Sequence, residues 1–501
     1  MRRFPALALI LMMFADAVAA DTFDPVRQYI RRLLVETPTP SISVAVARKG
    51  RIAWEEGFGW ADLERRVPAT EHSLYLQASI SKPITVTGLM TLVAKGKADL
   101  DRPANDYLGD AKLKARIGDA DEATLRRLAS HSAGLPAHFQ YFFDDEPYRQ
   151  PPMDLTILRY GNLVVPPGEQ LIYSNLGMGV LGYIIERTSG QPFADYMRQE
   201  VFAPLGMHHT SVRLTPALEA YAARPYDLST APLASFVTDT PAAAEVYSSA
   251  HDLARFGLFH LKNPLPDQAP ILPGALIDDM QRPHMRSGRD DRGFGLGWQI
   301  VPRNGYQVVT HGGGLAGVST LLALIPSEQI VAVVLINRFS RVDRVLVGEI
   351  FDQIMRAMVK DWHDDFEGRR AAEPPVRPTG QAVGVWEGTV HTGNADVPLV
   401  LDIRDSGEVR ATLGRQPVTL LTRWAGSQEG PDFAEGRLRG SMTGDVGTSD
   451  TQRNCPCLLD FDLTFRGGAL NGGATVGSDH ERPYIRGMTM TLTHWTELRK
   501  K

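Results

Sequence analysis

The chain has 501 residues, of which 43% are hydrophobic and 22% are charged, and its formal net charge is −5. This length exceeds that of an ordinary domain of roughly 100–200 residues, so we expect two or three domains. The composition is that of a globular protein and excludes wholesale disorder. The isoelectric point is about 6.2 and no run is rich in lysine and arginine. Nucleic-acid binding is therefore disfavoured, because it requires a basic surface.

Residues 1–20 have the pattern of a signal peptide. Arg2 and Arg3 precede an apolar run from Ala6 to Phe14, and small residues follow it. The apolar run is too short to span a bilayer comfortably, and its ending resembles an A-x-A cleavage site. The alternative is a retained N-terminal anchor. We predict an exported protein, periplasmic if the source is Gram-negative and otherwise secreted, with no stable membrane span after cleavage.

The main part of the chain begins with a predicted β-hairpin over residues 41–60, in which apolar residues alternate on both sides of a Lys49-Gly50 turn. A mainly helical stretch follows to about residue 300, and strand-like runs return over 307–337. The segment 343–362 is predicted to be helical. Its spacing places four apolar residues near one face: Val345, Ile350, Ile354 and Met358.

A polar stretch containing Pro374, Pro375 and Pro378 separates this part from a C-terminal region of different texture. Short alternating runs there, such as Val397-x-Leu399-x-Leu401, predict a small β-barrel or sandwich. The predicted organisation is a signal peptide, a main domain, a linker and an all-β domain, at residues 1–20, 21–365, 366–381 and 382–501.

Cys455 and Cys457 are the two cysteines of the chain. A bridge between them would close a very short, strained loop. A zinc site would need about four ligands at wider spacing. We therefore expect two free or locally paired thiols and no metal site.

The first candidate for chemistry is the S-x-x-K motif formed by Ser79 and Lys82. Apolar residues at helical spacing follow it, and Gly96 marks the predicted helix end. A serine and a lysine three positions apart share one face of a helix. A serine hydroxyl needs a base to become a nucleophile, and a lysine in a dry site loses its charge more easily. Taken alone, this short motif also describes an ordinary helix start.

The second candidate is Tyr173-Ser174-Asn175. A tyrosine can act as a base if a neighbouring cation lowers its pKa, and an asparagine can both donate to and accept from a substrate amide. The alternative is a loop tyrosine packed against the start of a helix.

The third candidate is His311-Gly312-Gly313-Gly314, which lies between strand-like runs. Glycines would let a substrate backbone approach a strand edge, where a backbone N–H can face a developing oxyanion. The alternative is a glycine-rich hairpin with an incidental histidine.

These three motifs, in this order and spacing, resemble those of the serine β-lactamase and penicillin-binding-protein superfamily. The tyrosine and the histidine make the chain most similar to its class C β-lactamase-like branch of esterases, D-aminopeptidases and D,D-peptidases. The resemblance covers about residues 25–360. Further stretches that resemble the family are LASHSAGLP (128–136), YSNLGMGVLGYIIE (173–186), SSAHDLARF (248–256) and FGLGW (294–298).

The resemblance implies an α+β fold of the β-lactamase/transpeptidase kind, with an antiparallel sheet flanked by helices, a helical lobe and a C-terminal barrel-like domain. It also implies that Ser79 is the nucleophile and becomes acylated, while Lys82 and Tyr173 share the proton transfers. Asn175 would bind the substrate or orient Lys82.

The third motif of many relatives carries a lysine where this chain has His311. The resemblance implies that His311 and Gly313 line the site and that the backbone N–H groups of Ser79 and Gly314 form the oxyanion hole. A largely neutral histidine favours an esterase or peptidase over a dedicated β-lactamase.

We expect hydrolysis of a small ester, a D-amino-acid peptide or amide, or a β-lactam, with no metal or organic cofactor. The alternative is a non-turnover penicillin-binding sensor or a cell-wall binding protein.

Overall fold

The computed structural model describes residues 22–287, 292–363, 376–393, 395–422, 430–452, 457–478 and 490–501. The predicted signal peptide at 1–20 lies outside these residues, as does most of the predicted linker at 366–381. Among the described residues, no helix is both long enough and apolar enough to cross a membrane.

The chain forms two compact units, each assembled from three separate stretches of sequence. The first unit contains Met1–Lys97, Gln191–Leu233 and Ala244–Phe366. The second unit contains the remaining stretches, Ala98–Gly190, Ala234–Ala243 and Glu367–Lys501. The second unit therefore combines a middle part of the chain, here called the lobe (residues 98–190 and 234–243), with the C-terminal region.

The first unit is built on a nine-stranded sheet in which every neighbouring pair of strands is antiparallel. The predicted hairpin is confirmed, because Lys49 and Gly50 both have positive φ, as the favoured two-residue hairpin turn requires. In spatial order the strands are Met285–Arg286, Gly293–Phe294, Gln299–Arg303, Tyr306–Leu315, Val318–Ile325, Ile330–Ile336, Ser41–Arg48, Arg51–Asp62 and Val67–Pro68.

Helices cover both faces of this sheet. Asp24–Glu36 and Arg341–Met358 share one apolar core with alternate residues of the central strands. On the other face, Gly257 lets the helix Ala250–His260 approach closely, since a Cβ there would lie 2.4 Å from a methyl group of Val331. The described residues of the first unit also form a small sheet and further α-helices: strands Tyr75–Leu76, Val246–Ser248 and Thr210–Val212, and helices Ser81–Ala94, Phe193–Met197 and Gly274–Met280.

The helix predicted over 343–362 is observed at Arg341–Met358. One of the four residues predicted near one face does not belong there, because Val345 is 39% exposed. Val345 precedes Ile350 by five residues, about 500° of helical rotation, so the two cannot share a narrow face. Leu346 and Val347, which lie four and three residues before Ile350, are buried instead.

Among the regular elements of the lobe, helices predominate over two short strand pairs. Its helices are Leu125–Ala129, Met153–Tyr160 and Asn175–Ser189, and a short helix, Pro241–Ala244, ends at its boundary. The strand pairs are Lys114–Ala115 with Asn162–Leu163, and Tyr141–Phe143 with Phe236–Thr238.

The C-terminal region of the second unit is an eight-stranded antiparallel sheet, here called the barrel. Its edges are joined by bridges between Thr422 and Ser441 and between Asp432 and Arg439, so the sheet is nearly closed. Closure removes the exposed edges that an open sheet would present. In spatial order the strands are Thr419–Leu420, Val409–Leu413, Asp396–Ile403, Gly384–His391, Met490–Lys500, Ala469–Ser478, Cys457–Arg466 and Arg437–Thr443; a short helix is at Ser449–Gln452.

The predicted all-β C-terminal domain is thus confirmed, together with the α+β architecture. Leu399 and Leu401, which the alternating pattern placed on one side of a strand, are both fully buried. Of the two cysteines, Cys457 is disulfide-bonded.

Candidate active site

Ser79 lies on a 3₁₀ turn, Ala78–Ile80, directly before the helix Ser81–Ala94. Ala78 has φ +48°, a left-handed conformation that is unusual for a residue with a Cβ. Pro83 is the third residue of the helix, where a backbone N–H has no partner within the helix, so its missing donor costs little. The sequence thereby places a partly exposed serine at the amino end of a buried helix.

Lys82 is fully buried, and its Nζ donates a hydrogen bond to Ser79 Oγ over 2.9 Å. Burial lowers the pKa of Lys82 well below its ordinary value, because a charged amine loses its hydration inside the protein. The three-residue spacing brings the two groups together on one face of the helical turn. A neutral amine at this distance can accept the serine proton.

His311 lies on the strand Tyr306–Leu315 of the same unit and is 1% exposed. Its Nδ1 is 2.8 Å from the carbonyl oxygen of Gly312, so Nδ1 carries the proton and donates. Burial, the largest cause, lowers the pKa of His311 to about 3. The imidazole is therefore neutral at ordinary pH.

The glycines that follow His311 make room for the protein's own atoms. A Cβ on Gly313 would lie 2.1 Å from Thr320 Oγ1 and 2.3 Å from the carbonyl oxygen of Gln77. A Cβ on Gly314 would lie 2.5 Å from the ring of Phe339. The glycine motif predicts space for a substrate backbone beside these residues. For Gly313, the chain's own turn before Ser79 occupies it.

Thr320 joins the glycine strand to the turn that carries Ser79. Its hydroxyl donates a hydrogen bond to the carbonyl oxygen of Gln77 over 3.0 Å, and its backbone lies opposite Gly313 in the sheet. Gln77 is two residues before Ser79 and is itself buried. Sequence reasoning missed Thr320, because nothing in the glycine motif indicates which residue of the neighbouring strand faces it.

Tyr173 and Asn175 belong to the second unit, where they flank the start of the helix Asn175–Ser189. Ser174 caps this helix, since its hydroxyl accepts a hydrogen bond from the backbone N–H of Gly177 over 2.9 Å. The Ser174 hydroxyl also donates to the carbonyl oxygen of Pro136 over 2.7 Å. Tyr173 and Asn175 are both partly exposed.

His131 supports the same turn and was not singled out from the sequence. Its Nδ1 accepts a hydrogen bond from the Ser174 N–H over 3.1 Å, and its ring centroid lies 4.4 Å from that of Tyr173. His131 is buried. It stands within the LASHSAGLP stretch that resembles the family, which was the one available signal.

The structure thus brings Ser79, Lys82, His311 and the two glycines together in the first unit, and groups Tyr173 and Asn175 with His131 in the second. The catalytic roles of these residues remain predictions. Among the described residues, no group of three or more His, Cys, Asp or Glu side chains is placed to hold a metal ion.

Comparison with known proteins gives both curated relatives and solved structures. Penicillin-binding protein 4* of Bacillus subtilis (strain 168) is 28% identical over 313 residues, which are 56% of this chain. The match spans 64% of that relative, less than two thirds of its length.

Two solved structures show the same fold. The octameric penicillin-binding protein homologue from Pyrococcus abyssi superposes with a TM-score of 0.56 at 19% identity, covering 95% of this chain and 99% of its own. A class C β-lactamase from Rhodobacter sphaeroides has a TM-score of 0.55 at 23% identity and covers 68% of this chain and 98% of its own. The first alignment covers almost the entire chain.

The Beta-lactamase family matches residues 26–352, which include all three motifs. This range is well over half of the chain, and it agrees with the region over which the motifs and flanking stretches resembled the superfamily. The chain therefore belongs to the Beta-lactamase family.

Proposed function

We propose that the protein is an exported serine hydrolase that works through an acyl-enzyme on Ser79. The observation that carries this proposal is the 2.9 Å hydrogen bond between Lys82 Nζ and Ser79 Oγ, with the lysine fully buried. Burial favours the neutral amine, which is the form that can take the serine proton. The pattern of residues 1–20 supports export.

The reaction has two steps. Ser79 Oγ attacks the substrate carbonyl carbon while its proton passes to Lys82 or Tyr173, and the tetrahedral intermediate collapses when the leaving group receives a proton. Water then attacks the acyl-enzyme, giving up a proton to the same pair, and Ser79 leaves with its proton restored. The N–H groups of Ser79 and Gly314 stabilise the oxyanion; the loss of one such donor typically costs about 10²–10³ in rate.

The substrates that fit this site are small esters, D-amino-acid peptides or amides, and β-lactams. His311 favours an esterase or peptidase over a dedicated β-lactamase. Burial keeps this histidine neutral, so the third motif lacks a fixed cation for a substrate carboxylate. Names among the relatives, a penicillin-binding protein and a class C β-lactamase, support the β-lactam part. We place ester and peptide hydrolysis first, with Asn175 and His311 contacting the substrate.

Intact-protein mass spectrometry tests the proposal directly. The mature chain is mixed separately with a fluorophosphonate, a penicillin and p-nitrophenyl acetate, and nitrophenolate release is followed. We expect adducts and continued release from the parent, and neither from Ser79→Ala. Ser81→Ala is the matched control, since the Ser81 hydroxyl accepts a hydrogen bond from the Val246 N–H and has no proposed catalytic part.

Two other outcomes would redirect the assignment. A lasting penicillin adduct without turnover would indicate a penicillin-binding sensor, the alternative that the Bacillus subtilis relative's name supports. The absence of adducts with all three reagents would contradict the assignment of Ser79 as a nucleophile.

A further inference from the structure

The barrel contacts the lobe next to the turn that carries Tyr173. Thr493, on the barrel strand Met490–Lys500, donates a hydrogen bond through Oγ1 to the carbonyl oxygen of Ala137 over 3.2 Å. Two residues away, Thr491 and Phe139 exchange backbone hydrogen bonds of 3.1 and 3.3 Å. The lobe segment 137–139 therefore extends the pairing of a barrel strand.

The same lobe segment is fixed from its other side by a buried polar pair. His138 Nε2 lies 2.6 Å from Asp239 Oδ2, and neither side chain is exposed. The other oxygen of Asp239 accepts the backbone N–H of Gln140 over 2.9 Å. With Thr493 on one side and Asp239 on the other, the backbone of residues 137–140 has little freedom to shift.

Pro136 transmits this position to the Tyr173 turn. Its carbonyl oxygen, one residue before Ala137, accepts the hydroxyl of Ser174, the residue that follows Tyr173 and caps its helix. His131 holds the Ser174 N–H and lies against the Tyr173 ring. A displacement of residues 136–139 would therefore move Ser174, and with it the adjoining Tyr173 and the His131 that contacts both.

A second barrel contact lies upstream of Tyr173. Arg466 of the barrel forms an ion pair with Glu169, four residues before Tyr173. The preceding residue, Gly168, donates its N–H to the carbonyl oxygen of Ser132 over 2.7 Å, next to His131. The barrel thus holds the chain on both sides of the turn.

We propose that the C-terminal barrel positions Tyr173, with Thr493 as a positioning residue. This inference rests on the proposed function, in which Tyr173 transfers protons during acylation and deacylation. Proton transfer depends on hydrogen-bond geometry, so a small displacement of the phenol lowers the rate of the chemical step. The barrel would then take part in catalysis without touching the substrate.

Thr493→Val tests the inference, because valine keeps the shape and removes the hydroxyl. The variant also removes the 2.9 Å contact between the hydroxyls of Thr493 and Thr475, which lies within the barrel. Thr496→Val is the matched control. Thr496 lies on the same strand, is fully buried, and its hydroxyl has no hydrogen-bond partner among the described residues. Thr493→Ser, which restores the hydroxyl, is the conservative rescue.

Amide hydrogen exchange tests, independently of activity, whether Thr493 holds residues 137–139 and the Tyr173 turn in place. In Thr493→Val we expect the amides of Phe139 and Ser174 to exchange about 2- to 10-fold faster, the range that corresponds to loss of the hydrogen bond to Ala137. Thr496→Val should leave both amides as in the parent. Unchanged exchange at both amides in Thr493→Val would overturn the inference.

A double-mutant cycle with Tyr173→Phe tests whether Thr493 affects the rate of the reaction through Tyr173. We expect Thr493→Val to lower kcat for p-nitrophenyl acetate about 2- to 10-fold with little change in KM. In the Tyr173→Phe background the same substitution should have no further effect. Parent-like kcat in Thr493→Val, or an equal drop in both backgrounds, would overturn the positioning role.

The cycle also separates this inference from the proposed function. Full activity of Tyr173→Phe would contradict the proton-transfer role of Tyr173. An impaired Tyr173→Phe together with a parent-like Thr493→Val would leave that role intact and reject the part assigned to the barrel.

Discussion

At the scale of single residues, the contact between Lys82 and Ser79 has two separate origins. Their spacing along the chain places them on one face of a helical turn, which the sequence predicts. The burial that lowers the pKa of Lys82 comes from surrounding elements, because the lysine is fully enclosed. Under the proposed function, this buried amine gains reactivity at the expense of the protein's stability.

Lys82→Met should separate these two effects. We expect the loss of the base to lower the acylation rate by at least about 10²-fold. We also expect the free energy of unfolding at neutral pH to rise by about 1–2 kcal/mol, since methionine needs no hydration. Acylation is measured by fluorophosphonate labelling and stability by urea unfolding.

The stability difference between the parent and Lys82→Met should depend on pH. The folded-state pKa of Lys82 is lowered, so below pH 10.5 the unfolded chain binds a proton that the folded chain lacks. Between the lowered folded-state pKa and pH 10.5 the parent therefore gains stability as pH rises, and the advantage of Lys82→Met should shrink over the same range. A variant less stable than the parent at pH 7 would contradict this explanation.

The Tyr-Ser-Asn motif predicts which residues form the Tyr173 turn but not which residues contact it. The Tyr-Ser-Asn motif identified the residues, and its alternative, a tyrosine packed at a helix start, describes the local geometry equally well. His131 lies 42 positions earlier in the sequence and meets Tyr173 only through the fold. No local pattern connects two residues so far apart.

At the scale of elements, the strand Tyr306–Leu315 shows why glycine is needed at one position and merely present at another. Gly313 lies against Gln77 and Thr320, with no room for a Cβ. Gly312 is exposed, and a Cβ there would meet its nearest atom at 3.6 Å, an ordinary contact distance. The consecutive glycines look alike in the sequence, and the packing of the neighbouring turn distinguishes them.

Gly313→Ala should push this strand away from the turn before Ser79. We expect a loss of about 1–3 kcal/mol in the free energy of unfolding. Fluorophosphonate labelling of Ser79 should slow by at least about tenfold, because a small misplacement of reacting groups is costly. Urea unfolding and labelling kinetics are the measurements.

Gly312→Ala is the matched control for this prediction. It makes the same chemical change one residue away and should alter stability by less than about 0.5 kcal/mol. Equal effects of the two substitutions would show that the close approach at Gly313 does not hold the strand and the turn together.

At the scale of the whole molecule, three neutral histidines are buried in different places. Burial lowers the pKa of His260 to about 3, of His311 to about 3 and of His494 to about 4. His260 is packed among the rings of Phe256 and Trp298. Each histidine binds a proton in the unfolded chain near pH 5 and none in the folded protein.

The protein should therefore lose stability as pH falls below 6.5. Each such histidine contributes about 1.4 kcal/mol per pH unit between 6.5 and its own folded-state pKa. Thermal unfolding followed between pH 7 and pH 4.5 measures the slope. We expect His260→Gln to reduce the slope of stability against pH by about 1.4 kcal/mol per pH unit, the contribution of one buried histidine, since glutamine does not titrate.

His363→Gln is the control for this experiment, because His363 is exposed. Its pH dependence should match that of the parent. If His260→Gln and His363→Gln show the same slope, the burial of His260 is not what makes the protein sensitive to acid.

The sequence by itself determined the family, the S-x-x-K motif and the kinds of element, because these depend on spacing over a few residues and on apolar periodicity. The hairpin at Lys49-Gly50 and the alternating strands of the barrel are of this kind. Only the tertiary structure decided which groups are buried, why Gly313 must lack a side chain, and that the lobe and the barrel form one compact unit. Those features arise from contacts between residues far apart in the chain, and no local pattern records such contacts.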